Sequence, residues 1–187
     1  MSPFPLGILA ASGVSAEAGD FELLETTTLA SDTASVTFSG LGSYTDYKHL
    51  QIRYVARTDR SGTNDYFRIR YNSDSTASYA RHSLAGDGSS VFSFGGSTSF
   101  NASPEVSGGS DVSNAYGASV FDILDFSSTS KNTTLRALGG ASSNVARIDL
   151  FSGAYFKTDA ITSIELTSGN FANIVTGSRF SLYGIRG

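Results

Sequence analysis

Apolar and polar residues alternate with a period of two along much of the chain, the repeat of a strand with one buried face. The stretch "KHLQIRYVARTD" (48–59) carries it most clearly: Leu50, Ile52, Tyr54 and Ala56 share one face, and Gln51, Arg53, Val55 and Arg57 the other. "YFRIRYN" (66–72) repeats the pattern, with Phe67, Ile69 and Tyr71 inward and Arg68 and Arg70 outward. The intervening "RSGTND" (60–65) is a turn by composition. The pair therefore predicts an antiparallel hairpin with Arg53, Arg57, Arg68 and Arg70 on one face of neighbouring strands.

Further strands are predicted in "DFELLETTTLA" (20–30), "SVTFSGLGSYTDY" (35–47, ending in a Gly-rich turn) and "SYARHSLAGDGSS" (78–90, again with a turn). Five more follow in "ASVFDILDF" (118–126), "TTLRALGG" (133–140), "ARIDLFSGAYF" (146–156), "AITSIELTSG" (160–169) and "SRFSLYGIR" (178–186). From about Gly95 to Gly117 the alternation dissolves into Gly, Ser, Asn and Pro, which reads as a long surface loop, with or without a short strand inside it. No amphipathic helix of convincing length is found. Eight or nine strands in one domain predict an all-β fold, an antiparallel two-sheet β-sandwich with jelly-roll wiring, over residues 20–187.

Residues 1–19 read differently. "MSPFPLGILAASGV" is apolar and uncharged, and Pro3 and Pro5 oppose a helix there. No basic residue precedes Lys48, so the positive region of a secretory signal is missing. The expectation is an extended arm whose Phe4, Leu6, Ile8 and Leu9 dock on another molecule, adding to a sheet edge there.

Composition narrows the function. Charged residues make up 16% of the chain and aromatics 12%, with 13 Phe, 9 Tyr and no Trp. The charged share lies well below the usual figure of about 25%, which suits a Ser/Thr/Gly-rich sandwich. A net charge of −4 argues against a nucleic-acid or anionic-membrane partner, and no apolar stretch reaches spanning length. The absence of cysteine removes disulfides, thiolate nucleophiles and Cys-type zinc sites together.

Candidate chemistry is sparse. His49 and His82 are the two histidines, and neither sits in the local context of a nucleophile–base pair. Asp122 and Asp125 fall on opposite faces of their strand, Asp149 is placed to pair with Arg147, and Glu165 is an outward strand position. "DRSGTND" and "DGSS" lack calcium-loop spacing, and the Gly-rich stretches lack the Lys-Ser/Thr ending of a phosphate loop. No catalytic residue, metal site or cofactor is predicted, and the chain is not expected to be an enzyme. The arginines 53, 57, 68 and 70 are the candidate partner-binding set, because a planar guanidinium suits subunit interfaces.

Two segments carry a resemblance. "YKHLQIRYVARTD" and the C-terminal "ITSIELTSGNFANIVTGSRFSLYGIRG" resemble small virion proteins of tailed bacteriophages, including phages of cyanobacteria. There an opening such as "LGILAASG", a strand such as "FELLETTTL", a "YKHLQIR"-like strand and a terminal "SRFSLYGI" recur in order. The resemblance implies a jelly-roll protein on the virion exterior, often trimeric, assembled in the bacterial cytoplasm and bound to the major capsid protein or other virion proteins. Capsid decoration is the expected role. The alternative is a tail or fibre component that binds a host glycan through the 95–117 loop, with Phe100 and Tyr116 as contact residues.

Overall fold

The computed structural model describes residues 20–141, 144 and 146–187. The predicted arm over 1–19, with Phe4, Leu6, Ile8 and Leu9, lies outside the described residues.

The strands are β1 (Phe21–Thr28), β2 (Ser35–Ser39), β3 (His49–Ala56), β4 (Asn64–Asp65), β5 (Phe67–Tyr71), β6 (Tyr79–Gly86) and β7 (Val91–Thr98). They continue as β8 (Asn101–Ala102), β9 (Val106–Ser107), β10 (Gly117–Leu124), β11 (Thr133–Ala141), β12 (Arg147–Tyr155), β13 (Ser163–Ser168) and β14 (Arg179–Ile185). Eight form one antiparallel sheet in the order β1-β14-β3-β10-β11-β12-β6-β7, and four form a second in the order β2-β13-β5-β8. A short ladder joins β4 to β9. The fold is an all-β sandwich of antiparallel sheets. Jelly-roll wiring is a finer reading that these strand orders do not establish.

The core lies where the alternation places it. Leu50, Ile52, Tyr54 and Ala56 of β3 meet Phe67, Ile69 and Tyr71 of β5 across the gap between the sheets, all nearly fully buried. Rings fill much of that gap. Tyr54 packs edge-on to Phe67 with centroids 5.2 Å apart, and Tyr71 lies 5.4 Å from Tyr155 and 6.0 Å from Tyr79. Each such side chain, removed from water, contributes on the order of 1.5–3 kcal/mol before ordering costs.

Two expectations fail for one reason. β3 and β5 are not a hairpin: β3 pairs with β14 and β10, and β5 with β13 and β8, in the opposite sheet. The segment between them crosses from sheet to sheet. Asp65 anchors the crossing by accepting bonds from Thr58 Oγ1 (2.9 Å), Ser168 Oγ (2.6 Å) and Asn170 Nδ2 (2.8 Å). Nor is 95–117 a surface loop throughout: short strands β8 and β9 lie inside it, and exposed loop residues are confined to its second half. Its first residues finish β7, and residues 101–104 and 106–108 are buried, as is Asp111. A polar segment can be buried when its hydrogen-bonding groups find partners inside. Ser103 Oγ accepts from the Phe67 amide (2.8 Å) and donates to the Pro104 carbonyl, while the Glu105 amide donates to the Asp149 carboxylate (3.1 Å). The close approach also needs Gly117, where a Cβ would stand 2.6 Å from Val106 Cα.

Candidate functional site

The two outer faces of the sandwich differ in chemistry. On the four-stranded sheet the outward positions are polar: Thr37, Glu165 and Arg70 stand side by side, and so do Ser35, Thr167 and Arg68. A solvated antiparallel face has this composition.

The eight-stranded sheet presents something else. Its register aligns Val120, Leu138, Leu150 and Leu84 across four adjacent strands, and an adjoining row runs through Val55, Ala118 and Ile148 to Val91. Leu138, Leu150, Leu84 and Ile148 are 47–62% exposed. A trough of about 760 Å³ opens on this face, walled in part by Leu23, Arg53, Val55, Val120 and Leu138. Contiguous apolar surface of this kind marks an interaction site, whereas a scattered exposed Leu does not. A third row, Gln51, Asp122, Arg136, Ser152 and His82, is polar and borders the apolar pair, with Arg136 3.6 Å from Asp122.

The four arginines expected on one face are distributed over three environments. Arg53 lies on the outer face of the larger sheet, its guanidinium 4.9 Å from the Phe21 ring centroid and 4.8 Å from that of Tyr183. Arg68 and Arg70 lie on the opposite side of the molecule, since β5 belongs to the smaller sheet. Arg57 is not a surface residue. It follows the end of β3 and is buried, with Nη1 donating to the Val112 (2.7 Å) and Ala115 (2.9 Å) carbonyls and Nη2 to those of Gly109 (3.1 Å) and Asp111 (3.2 Å). That side chain holds the 109–115 loop in place and is unavailable to a partner. Tyr116, expected as a ligand contact, is half-buried and donates its hydroxyl to the Thr176 carbonyl at 3.1 Å.

Phe100 has a different setting. The larger sheet overhangs the smaller: β8 lies over β12 and β6, and β7 extends past it with exposed residues on both faces. Phe92 and Phe94 of β7 therefore face the interior side of the sandwich beyond the edge strand β8, and Arg81 and Ser83 of β6 stand at the border of that opening. Phe100 and Tyr66 close this mouth from the other side. The Arg81 guanidinium lies 4.8 Å from the Phe100 centroid, 4.9 Å from Phe94 and 5.9 Å from Tyr66. Arg68 stands 5.0 Å from Phe100 and 4.1 Å from Phe171. Phe100 and Arg68, singled out separately in the sequence, are thus brought together.

Carboxylates in the mouth are internally engaged. Arg147 pairs with Glu105 (3.0 Å) and with the buried Asp149 (2.8 Å), as its spacing from Asp149 predicts. Burial raises the Glu105 pKa, opposed by Asn64, which donates to its second oxygen at 2.6 Å. Burial also lowers the Arg81 pKa. Sequence reasoning missed this cluster. The available signal was Arg81 itself, a cation on the same strand parity as the buried Tyr79 and Ala85.

Other candidate residues have structural settings. His49 Nδ1 accepts the Asp125 amide at 2.9 Å, and Asp125 pairs with Lys131 at 3.0 Å. Among the described residues no group of three or more His, Cys, Asp or Glu side chains is placed to share a metal ion. Comparison with known proteins finds no matching family model and no matching curated protein.

Proposed function

We propose that this protein is a non-enzymatic assembly component that works by surface contact: a bacteriophage virion structural protein acting as a capsid decoration protein, in keeping with the resemblance of its strand motifs. The observation that carries the reading is the apolar outer face of the eight-stranded sheet, with Leu84, Leu138, Ile148 and Leu150 in adjoining rows. Such a face favours burial against a neighbour, whether another copy in a trimer or the capsid shell. Arg53 lies on the same face and supplies a planar donor at its margin. The polar face of the smaller sheet then looks to solvent.

The test is occupancy on purified capsids and the oligomeric state of the isolated chain. Replacing Leu138 and Leu150 by Asp is expected to weaken both by about tenfold or more without unfolding the sandwich. Undiminished self-association together with undiminished capsid occupancy overturns the reading. Many copies distributed over the head support decoration, and a few copies at one vertex favour a tail component.

A further inference from the structure

The mouth between β6, β7 and the Phe100 turn contains a cavity of about 250 Å³. It is somewhat smaller than the ~300–1,000 Å³ of sites for drug-sized ligands, and it is walled by Tyr66, Phe94 and Phe151 with Arg81 and Ser83 among them. Its polar inventory is unbalanced. Both Glu105 oxygens and both Asp149 oxygens are taken by Arg147, Asn64 and a backbone amide. Arg81 has no carboxylate partner among the described residues: its side chain is hydrogen-bonded to Tyr66, while its buried Nε lacks a hydrogen-bond partner. A half-buried guanidinium framed by three rings and left without an anion is a costly arrangement unless a ligand completes it.

We infer that this cavity is a binding site for a carboxylate-bearing sugar residue, its anionic group paired with Arg81 and one face of its ring laid against Phe94. The carboxylate follows from the uncompensated charge and fork geometry of Arg81. The sugar follows from the space and the walls. A bare anion needs neither the room nor the aromatic sides, while a pyranose ring has an apolar C–H face for Phe94 and hydroxyls within the range of Ser83 and Tyr66. The exposure of Phe94, at 54%, leaves the site open at one side for the rest of a saccharide chain. This site goes beyond the assembly reading and shares none of its residues, so either can fail alone.

The experiment titrates the full chain with an oligogalacturonate and, in parallel, with the corresponding neutral oligogalactose, by calorimetry at low and moderate salt. The acidic oligomer is expected to bind and the neutral one to bind at least about tenfold more weakly, with the difference shrinking as salt rises. Arg81→Gln is expected to erase the preference for the acidic oligomer. Phe94→Ala, a change at an exposed position that leaves the fold intact, is expected to weaken both oligomers several-fold. The proposal is overturned by equal affinity for the two oligomers, by no binding of either, or by an Arg81→Gln protein of unchanged melting temperature that keeps the preference. Equally tight binding of an acidic peptide such as oligoglutamate also overturns it, because the cavity then reads a carboxylate without the sugar and belongs to a protein partner.

Discussion

The two sheets share one core, yet their outward faces obey different rules. Thr37, Glu165 and Arg70 on the smaller sheet form a file of groups that water solvates well. Val120, Leu138, Leu150 and Leu84 on the larger sheet form a file that water solvates poorly. Both faces are built from the same period-two strands, so secondary structure does not cause the difference. The larger sheet carries apolar residues on both parities, as a sheet does when both sides are to be covered. One side is covered within the chain by β2, β13, β5 and β8. The comparison teaches that the other side carries the composition of a covered face, which is what the proposed assembly role would use.

The largest effect is expected in the shared core. Phe67→Ala removes a fully buried ring that meets Tyr54 and Phe180, and it should cost about 3–5 kcal/mol. Chemical denaturation followed by amide exchange checks this. A loss confined to amides of the smaller sheet would show that the two layers unfold separately and would break the premise that they share one core. Next in size, the paired change Leu138→Asp with Leu150→Asp should weaken association by tenfold or more, about 1.4 kcal/mol per decade, while the melting temperature stays close to that of the parent. Sedimentation velocity over a range of concentrations reads it.

Alkali tests the interior between those faces. Burial raises the pKa of Tyr54, Tyr71 and Tyr155, and that of Tyr79 to about 12. A folded-state value above the unfolded value of about 10 means that the unfolded chain loses its phenolic protons first. Stability from these rings is therefore fully present below about pH 10 and declines as the pH rises from there toward the folded values. Thermal melts between pH 8 and 12 should show a flat region and then a fall. A flat profile throughout would mean that these hydroxyls reach solvent in the native state. The smallest effect is expected from Glu165→Gln on the polar face, within about 0.5 kcal/mol and without change in association. A marked loss of association there would reverse the assignment of the two faces.

Much of the fold was legible because burial imposes a period of two. The inward sets of β3 and β5 were readable residue by residue, since each inward side chain meets the opposite sheet. Pairing was not. Six residues of turn composition between β3 and β5 suggested a hairpin, but the hydrogen bonds that route this segment across the sandwich involve Ser168 and Asn170, a hundred residues away. The 101–108 segment misled for a related reason. Ser, Asn and Gly read as solvent-loving, and only the three-dimensional partners of Ser103 and Glu105 show how they can be buried. Arg57 continued the outward parity of β3 on paper, but the strand ends at Ala56 and the next side chain turns inward. The apolar outer face left a trace in "TTLRALGG" and "ARIDLFSGAYF", where Leu138, Ile148 and Leu150 sit on the parity opposite Leu135, Ala137 and Phe151. A period of two separates the two faces of a strand but does not say which face is covered when both carry apolar residues.

Arg57 has one more consequence. Proteins that must hold a long excursion in shape outside the cell commonly use a disulfide, which a reducing compartment can open. Here a single guanidinium grips four backbone carbonyls of the 109–115 excursion, and the chain has no cysteine at all. Thiol reductants have nothing to cleave in such a rivet. The loop geometry is therefore independent of the redox potential of its surroundings.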